Sequence, residues 1–195
     1  MTPTDGLRRA VLLVAVLNGA YFLVEVVVAT AIGSVSLLAD SVDFLEDTSV
    51  NLLIFFSLAW SVRARARVGS ALAFVILVPA VATIVLAVVK ILDPAPPEVA
   101  PLGIAAFGAL VVNVVCAVIL VRHRAHGGSL ARAAWLSARN DALANLAIIG
   151  AAIVTLWWPS GWPDIVVGIA IGLMNVDAAR EVWRAAREEA AEPRA

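Results

Sequence analysis

The sequence predicts an all-α integral membrane protein of six transmembrane helices, and three observations carry that reading. Hydrophobic residues make up 62% of the 195-residue chain and charged ones 15%, with a mean hydropathy of +0.96. Soluble domains carry about 45–50% apolar and about 25% charged residues, and a core this small cannot hide the excess from water, so lipid must cover it. Six apolar stretches reach the roughly 20 residues that a membrane-crossing helix needs: Ala10–Ile32, Val35–Trp60, Val68–Leu92, Ala100–Val121, Arg132–Trp158 and Ile165–Trp183. The basic residues, finally, fall on alternate connections.

Helix 1 follows Arg8 and Arg9 as a secretory leader would, but its apolar run continues through Tyr21-Phe22-Leu23-Val24 and Val26-Val27-Val28. That is too long for a leader's apolar region, so it is read as a membrane helix. Arg63, Arg65 and Arg67 join helices 2 and 3, Arg122 and Arg124 join helices 4 and 5, and Arg180, Arg184, Arg187 and Arg194 follow or close helix 6. The other three connections (Gly33-Ser34, the segment 93–98 and the segment 159–163) hold no Lys or Arg, and Lys90 is the one cation nearby. The positive-inside rule therefore places both termini in the cytoplasm. Trp157, Trp158 and Trp162 bracket the last outer turn as an interfacial aromatic belt. Cys116 lies in an apolar run and is expected to be a small packing residue.

The two halves echo each other. Helix 2 carries Asp47-Thr48-Ser49-Val50-Asn51-Leu52 and helix 5 carries Asp141-Ala142-Leu143-Ala144-Asn145-Leu146, each with an oxygen-bearing residue four positions earlier, Asp43 and Ser137. Helices 1 and 4 add Asn18 and Asn113 at nearly matching distances upstream. Three helices per half make the second half enter from the opposite side, an inverted three-plus-three repeat of the kind that places a transport site near the bilayer midplane.

Charged side chains inside a membrane helix are costly and usually functional. Helix 2 holds Asp40, Asp43, Glu46 and Asp47, helix 5 holds Arg139 and Asp141, and helix 1 holds Glu25. Asp43 and Asp47 share a helix face, with Asp40 and Asn51 extending it, and Ser137, Asp141 and Asn145 form the corresponding stripe on helix 5. At about 1.5 Å per residue, Asp43 and Asp47 lie roughly 12–18 Å below the outer end of helix 2 and Asp141 roughly 13 Å from the cytoplasmic end of helix 5. Three carboxylates meeting at one level in low dielectric need protons or a cation among them. Because ligands bind metal deprotonated, a divalent ion and protons would compete for the same oxygens. Arg139, two residues from Asp141, falls on a different face and is free to pair with Glu46 or reach the interface.

Other polar residues have ordinary explanations. Glu25 and Glu46 read as ion-pair partners or polar contacts between helices, with a proton path as the functional alternative, and the four Asn as interhelical hydrogen-bonding groups. Asp164 follows Trp162-Pro163 at a helix start, where capping accounts for it. Asp177, Arg180, Glu181 and Arg184 are expected to solvate a cytoplasmic helix end, and His123 and His126 to lie in a solvated basic loop.

With these residues in hand the chain resembles the cation diffusion facilitator (cation efflux) family. The resemblance runs through Asn18 and Phe22-Leu23-Val24-Glu25-Val26, then Gly33 to Ser41 with Asp43 and Asp47. It continues with Asp141 and Asn145, Pro163-Asp164, and the amphipathic Trp183-Arg184 stretch. It implies a transport site made by two ligands from helix 2 and two from helix 5. Asp43, Asp47 and Asp141 match three of those positions, and Ser137 stands at the fourth, where the family usually has His or Asp. An all-oxygen set favours harder ions than zinc, and Asn140 or Asn145 is a substitute ligand; Asp40 is a further candidate.

The resemblance implies efflux of a divalent ion (Zn, Co, Cd, Mn or Fe) from the cytoplasm by proton antiport, across a bacterial inner membrane. A homodimer among lipid is implied as well, with no permanent cofactor, no nucleic-acid partner and no enzymatic activity. Residues 1–187 are expected to form the transmembrane domain and 188–195 a short cytoplasmic tail, in place of the family's usual cytoplasmic domain. A non-transporting metal-binding or regulatory relative is the alternative. A metal-dependent membrane enzyme ranks third, since no nucleophile–base pair or phosphate-binding motif is present.

Overall fold

The computed structural model describes residues 3–57, 78–123 and 129–174, with the backbone alone at 3–5, 7, 53, 57, 122–123 and 129–139. The described chain is helical: α1 Pro3–Ile32, α2 Val35–Ser57, α3 Val78–Leu92, α4 Val99–His123, α5 Ser129–Trp157 and α6 Trp162–Met174. Three stretches are long and apolar enough to cross a membrane, Arg8–Ile32, Val99–Val121 and Asn140–Trp157, and α3 and α6 are shorter apolar helices over their described lengths. The carboxylates of α2 keep it less apolar than these. The α5 helix starts near the expected place, and its described apolar stretch is Asn140–Trp157. The basic residues at 63–67, 124 and 180–194, together with His126, Asp177, Glu181 and the 188–195 tail, lie outside the described residues.

Each boundary has a local cause. The α1 helix ends at Gly33, whose φ of 64° is a left-handed conformation that costs a side-chain-bearing residue about 1–2 kcal/mol. The Ser34 amide donates back to the Ala29 carbonyl at 2.9 Å, closing the turn. Ser34 then caps α2: its Oγ accepts from the Leu37 amide at 3.1 Å. Four prolines within the segment 94–101 surround the corner between α3 and α4, and Pro159 follows α5 just past its end.

Helices α1 and α2 pack along their length, as do α4 and α5, and α1 also packs on α4; α2 meets α5 and α4 over a narrower contact. The shared core joins Ala29, Leu37, Leu38, Ala39, Leu102, Ala105, Ala106, Ala144, Ile148, Ala152 and Ile171. The many alanines let the helix backbones approach closely, as small residues do in membrane bundles. Leu23, Val27, Ile84, Ile104, Leu156 and Leu173 point outward, which is what lipid contact requires. Trp157, Trp158 and Trp162 are exposed beside them, where the aromatic belt was expected.

The three short connections gather at one end of the bundle. Gly161 donates to the Pro94 carbonyl at 2.8 Å, Lys90 Nζ donates to the Ala95 carbonyl at 2.7 Å, and Ser34 bonds to Asp164 at 2.6 Å. Lys90, the one cation at this end among the described residues, thus pairs with a neighbouring carbonyl.

One contact fixes α1 against α4. The Tyr21 hydroxyl donates to the Ala105 carbonyl at 2.6 Å, and a side chain at Gly108 would collide with that hydroxyl. Gly108→Ala is therefore expected to cost about 1–3 kcal/mol of stability. The same change in a Tyr21→Phe background should cost clearly less, measured by denaturant unfolding in micelles; equal costs in the two backgrounds would contradict the contact.

Candidate metal-binding site

The carboxylates of α2 descend from a fixed end. Val35 and Ser36 begin the helix, Asp40 lies one turn in, and Asp43 and Asp47 follow on the stripe that the i, i+4 spacing predicts. Asp43 feels the charges of Asp40, Asp141, Glu46 and Asp47. Helix α5 thus brings its carboxylate into the electrostatic field of the α2 pair. Asp43, Asp47 and Asp141 are all partly buried.

The repeated motif has a repeated geometry. Asn51 Nδ2 donates to the Asp47 carbonyl at 2.8 Å, and Asn145 Nδ2 donates to the Asp141 carbonyl at 2.8 Å. Each Asn is held against its own helix one turn after its Asp. The consequence for Asn145 is specific: the amide is fixed by its nitrogen, while its Oδ1 is buried without a hydrogen-bond partner. A buried amide oxygen with nothing to accept is a poor structural choice and a suitable cation ligand. Ser137 and Arg139 belong to the part of α5 whose side chains lie outside the description. Asn140 is exposed. Among the described residues, no three His, Cys, Asp or Glu side chains converge closely enough to hold a metal ion by themselves.

Asp40 stands apart from the other α2 acids. It is buried together with Glu25 of α1, and the two carboxyl groups are within hydrogen-bonding reach of each other. Glu25 Oε1 and Oε2 and Asp40 Oδ2 have no donor among the described residues, and Asn18, also buried, has neither of its amide atoms paired. Two ionised carboxylates offer acceptors only, so this contact becomes a hydrogen bond only when one of the pair carries a proton. Sequence spacing could not reveal the pairing, because it depends on how α1 lies on α2.

Asp164 is where sequence reasoning went furthest astray. It lies in the first turn of α6, as expected of a cap, but it caps a different helix. Its carboxylate accepts from Ser34 Oγ at 2.6 Å, the Val35 amide at 2.7 Å, the Ser36 amide at 3.2 Å and Ser36 Oγ at 2.6 Å. Cys116 is buried and free, in keeping with a packing role.

Residues 11–189 match the cation efflux transmembrane domain, and the chain belongs to that family. Among curated proteins it is 28% identical over 197 residues to the zinc transporter ZitB of Escherichia coli (strain K12), covering 93% of this chain and 61% of that protein. The zinc transporter ZitB of Shigella flexneri matches to the same extent. The chain therefore spans about three-fifths of the length of these relatives. With a family whose domain resides in the membrane and helices apolar enough to cross it, this is an integral membrane protein.

The Glu25–Asp40 contact makes a stability prediction. Glu25→Gln supplies an amide donor to Asp40 and is expected to leave unfolding free energy within about 1 kcal/mol of the wild type. Glu25→Ala leaves the Asp40 carboxyl without its neighbour and should cost about 2–3 kcal/mol. Unfolding in detergent, titrated with denaturant, distinguishes them; equal effects of the two substitutions would rule the contact out.

Proposed function

We propose that this protein exports divalent metal ions from the cytoplasm in exchange for protons, using Asp43, Asp47 and Asp141 as the core of a mid-membrane site. The observation that carries the reading is the contact between α2 and α5, which brings Asp43 within the electrostatic field of Asp141, in a chain of the cation efflux family. Three carboxylates in low dielectric repel one another unless a cation or protons intervene, and a divalent ion neutralises most of their charge. Asn145 Oδ1, buried without a partner, supplies a fourth oxygen, with Ser137 as the alternative and Asp40 a reserve ligand one turn outward. An all-oxygen set accepts Mn²⁺, Fe²⁺, Co²⁺ and Cd²⁺ beside Zn²⁺ and binds zinc less selectively than a site with nitrogen would.

The surrounding architecture of this reading is six spans in an inverted three-plus-three repeat. The gathering of the three short connections at one end and the matched Asn hydrogen bonds in α2 and α5 support it. Both termini face the cytoplasm, by the distribution of arginines, and the membrane is the bacterial inner membrane. Two copies associate through their membrane helices, with lipid around them.

Proteoliposomes carrying a pH gradient test the transport reading. Metal uptake should exceed that of empty vesicles and fall to their level in a variant combining Asp47→Ala with Asp141→Ala. Flux that survives both substitutions would sink the carboxylate site. Protons compete with metal for the same oxygens, so affinity should weaken steadily as the medium is acidified. A non-transporting relative, the reading that Ser137 in place of His or Asp favours, would bind metal and show no flux. Ser137→His should raise zinc affinity at least tenfold, about 1.4 kcal/mol. Unchanged zinc affinity would show that Ser137 does not occupy the fourth corner.

A further inference from the structure

We propose that Asp164 is a positioning residue for the carboxylate helix: from the first turn of α6 it holds the first turn of α2, and so sets the depth and rotation at which Asp43 and Asp47 face α5. The inference rests on the metal-site reading above and adds a residue that touches no metal.

The N-terminal amides of a helix have no partners within it and must be satisfied from outside. In α2 this is already partly done by the chain itself, since Ser34 Oγ takes the Leu37 amide and the Ser34 carbonyl takes the Leu38 amide. The remaining two, Val35 and Ser36, go to Asp164 at 2.7 and 3.2 Å, from 129 and 128 positions away in sequence. The Ser34 and Ser36 hydroxyls add two more bonds at 2.6 Å each. Helix formation alone would not need so distant a group. A buried carboxylate with four donors on another helix, at the positive end of that helix's dipole, ties the two helices together.

The packing beneath it leaves no slack. One turn further along α6, a Cβ added at Gly168 would lie 2.7 Å from Val35 Cγ1 and 2.8 Å from the Ser36 amide. The helix therefore rests directly on the backbone that Asp164 grips. One turn earlier, Gly161 is held on the Pro94 carbonyl with equally little room. Lys90, at the end of α3, lies within the field of Asp164. The first turn of α2 is thereby fixed in height and angle by α6 and the 93–98 corner.

What is fixed there is transmitted along a rigid rod. Asp43 and Asp47 lie roughly 12 and 18 Å further down the same helix. A slip of one residue would turn both carboxylates by about 100°, away from Asp141 and Asn145. Two ligands on one helix and two on another meet only if that angle is kept.

The test measures Cd²⁺ or Mn²⁺ binding by the full chain in lipid nanodiscs, well below the unfolding temperature, with Tm recorded in parallel. Asp164→Asn keeps the shape and puts an amide nitrogen against the donors of α2. It should weaken metal affinity at least tenfold at a temperature where the variant is fully folded. Ser36→Ala, which removes one of the four bonds, should weaken it less, and Asp164→Glu, which keeps the charge but changes the reach, should not restore it. A lower Tm with unchanged affinity would show a role in stability alone and overturn the proposal. Should Asp164→Asn fail to fold, Ser36→Ala and Gly168→Ala decide: loss of affinity supports the positioning role and wild-type affinity in both overturns it. Wild-type protein that binds no metal would instead overturn the metal-site reading.

Discussion

A carboxylate removed from water must be given donors, a proton or a cation, because the cost of leaving it bare exceeds what any single packing contact returns. This chain meets that requirement in three different ways. Asp164 is given donors, four of them, all from the start of α2. Glu25 and Asp40 are buried side by side, with Glu25 Oε1 and Oε2 and Asp40 Oδ2 lacking a donor among the described residues. Asp43 is set among other carboxylates, an arrangement that stores an unmet demand for positive charge. The first solution is rigid and complete, whereas the other two leave carboxyl groups close to one another, and on the proposed function the third is where a mobile cation binds. The distinction separates scaffold from site more sharply than burial does.

The scaffold follows from the same economy of polar groups. Short connections meet at one end, and their carbonyls and amides are paired across helices: Gly161 with Pro94, Lys90 with Ala95 and Ser34 with Asp164. The alanine-rich core around Leu37, Leu102 and Ile148 lets α1, α2, α4 and α5 approach closely enough for Tyr21 to reach a carbonyl on α4. Outside that core the described helices expose many large apolar side chains, such as Leu23, Ile84, Ile104 and Leu156. Bundles of this kind gain little from burying apolar area against lipid tails that are equally apolar, so close packing and interhelical hydrogen bonds carry the association.

Much of this was legible in the residues. The apolar runs marked the helices, Gly33 marked the corner between α1 and α2, and the spacing of Asp43, Asp47 and Asn51 placed them on one stripe. Asn51 and Asn145 were expected to bond between helices, but each donates instead to the carbonyl of its own Asp one turn back, so the matched Asp-x-x-x-Asn pattern recurs as one local geometry in α2 and α5. Long-range pairings were not legible, since nothing local distinguishes them. Asp164 looked like a cap for its own helix because a carboxylate in a first turn usually is one, whereas its partners lie on α2. Glu25 read as a generic interhelical polar group because its relation to Asp40 depends on the rotation of α1. Asn145 was visible as a candidate ligand, but the reason to prefer it, an oxygen left without a donor while the nitrogen is held, exists only in three dimensions.

The central claim is that α2 and α5 present Asp43 and Asp141 to the same point in space. Mercury bridging measures this directly, in a Cys116→Ser background carrying Asp43→Cys and Asp141→Cys, with the bridged peptides read by mass spectrometry after proteolysis. The two positions should be captured by one Hg²⁺ per chain at stoichiometric reagent, while the control pair Val50→Cys with Asp141→Cys should not. Efficient bridging of the control, or none at Asp43 and Asp141, would contradict the account.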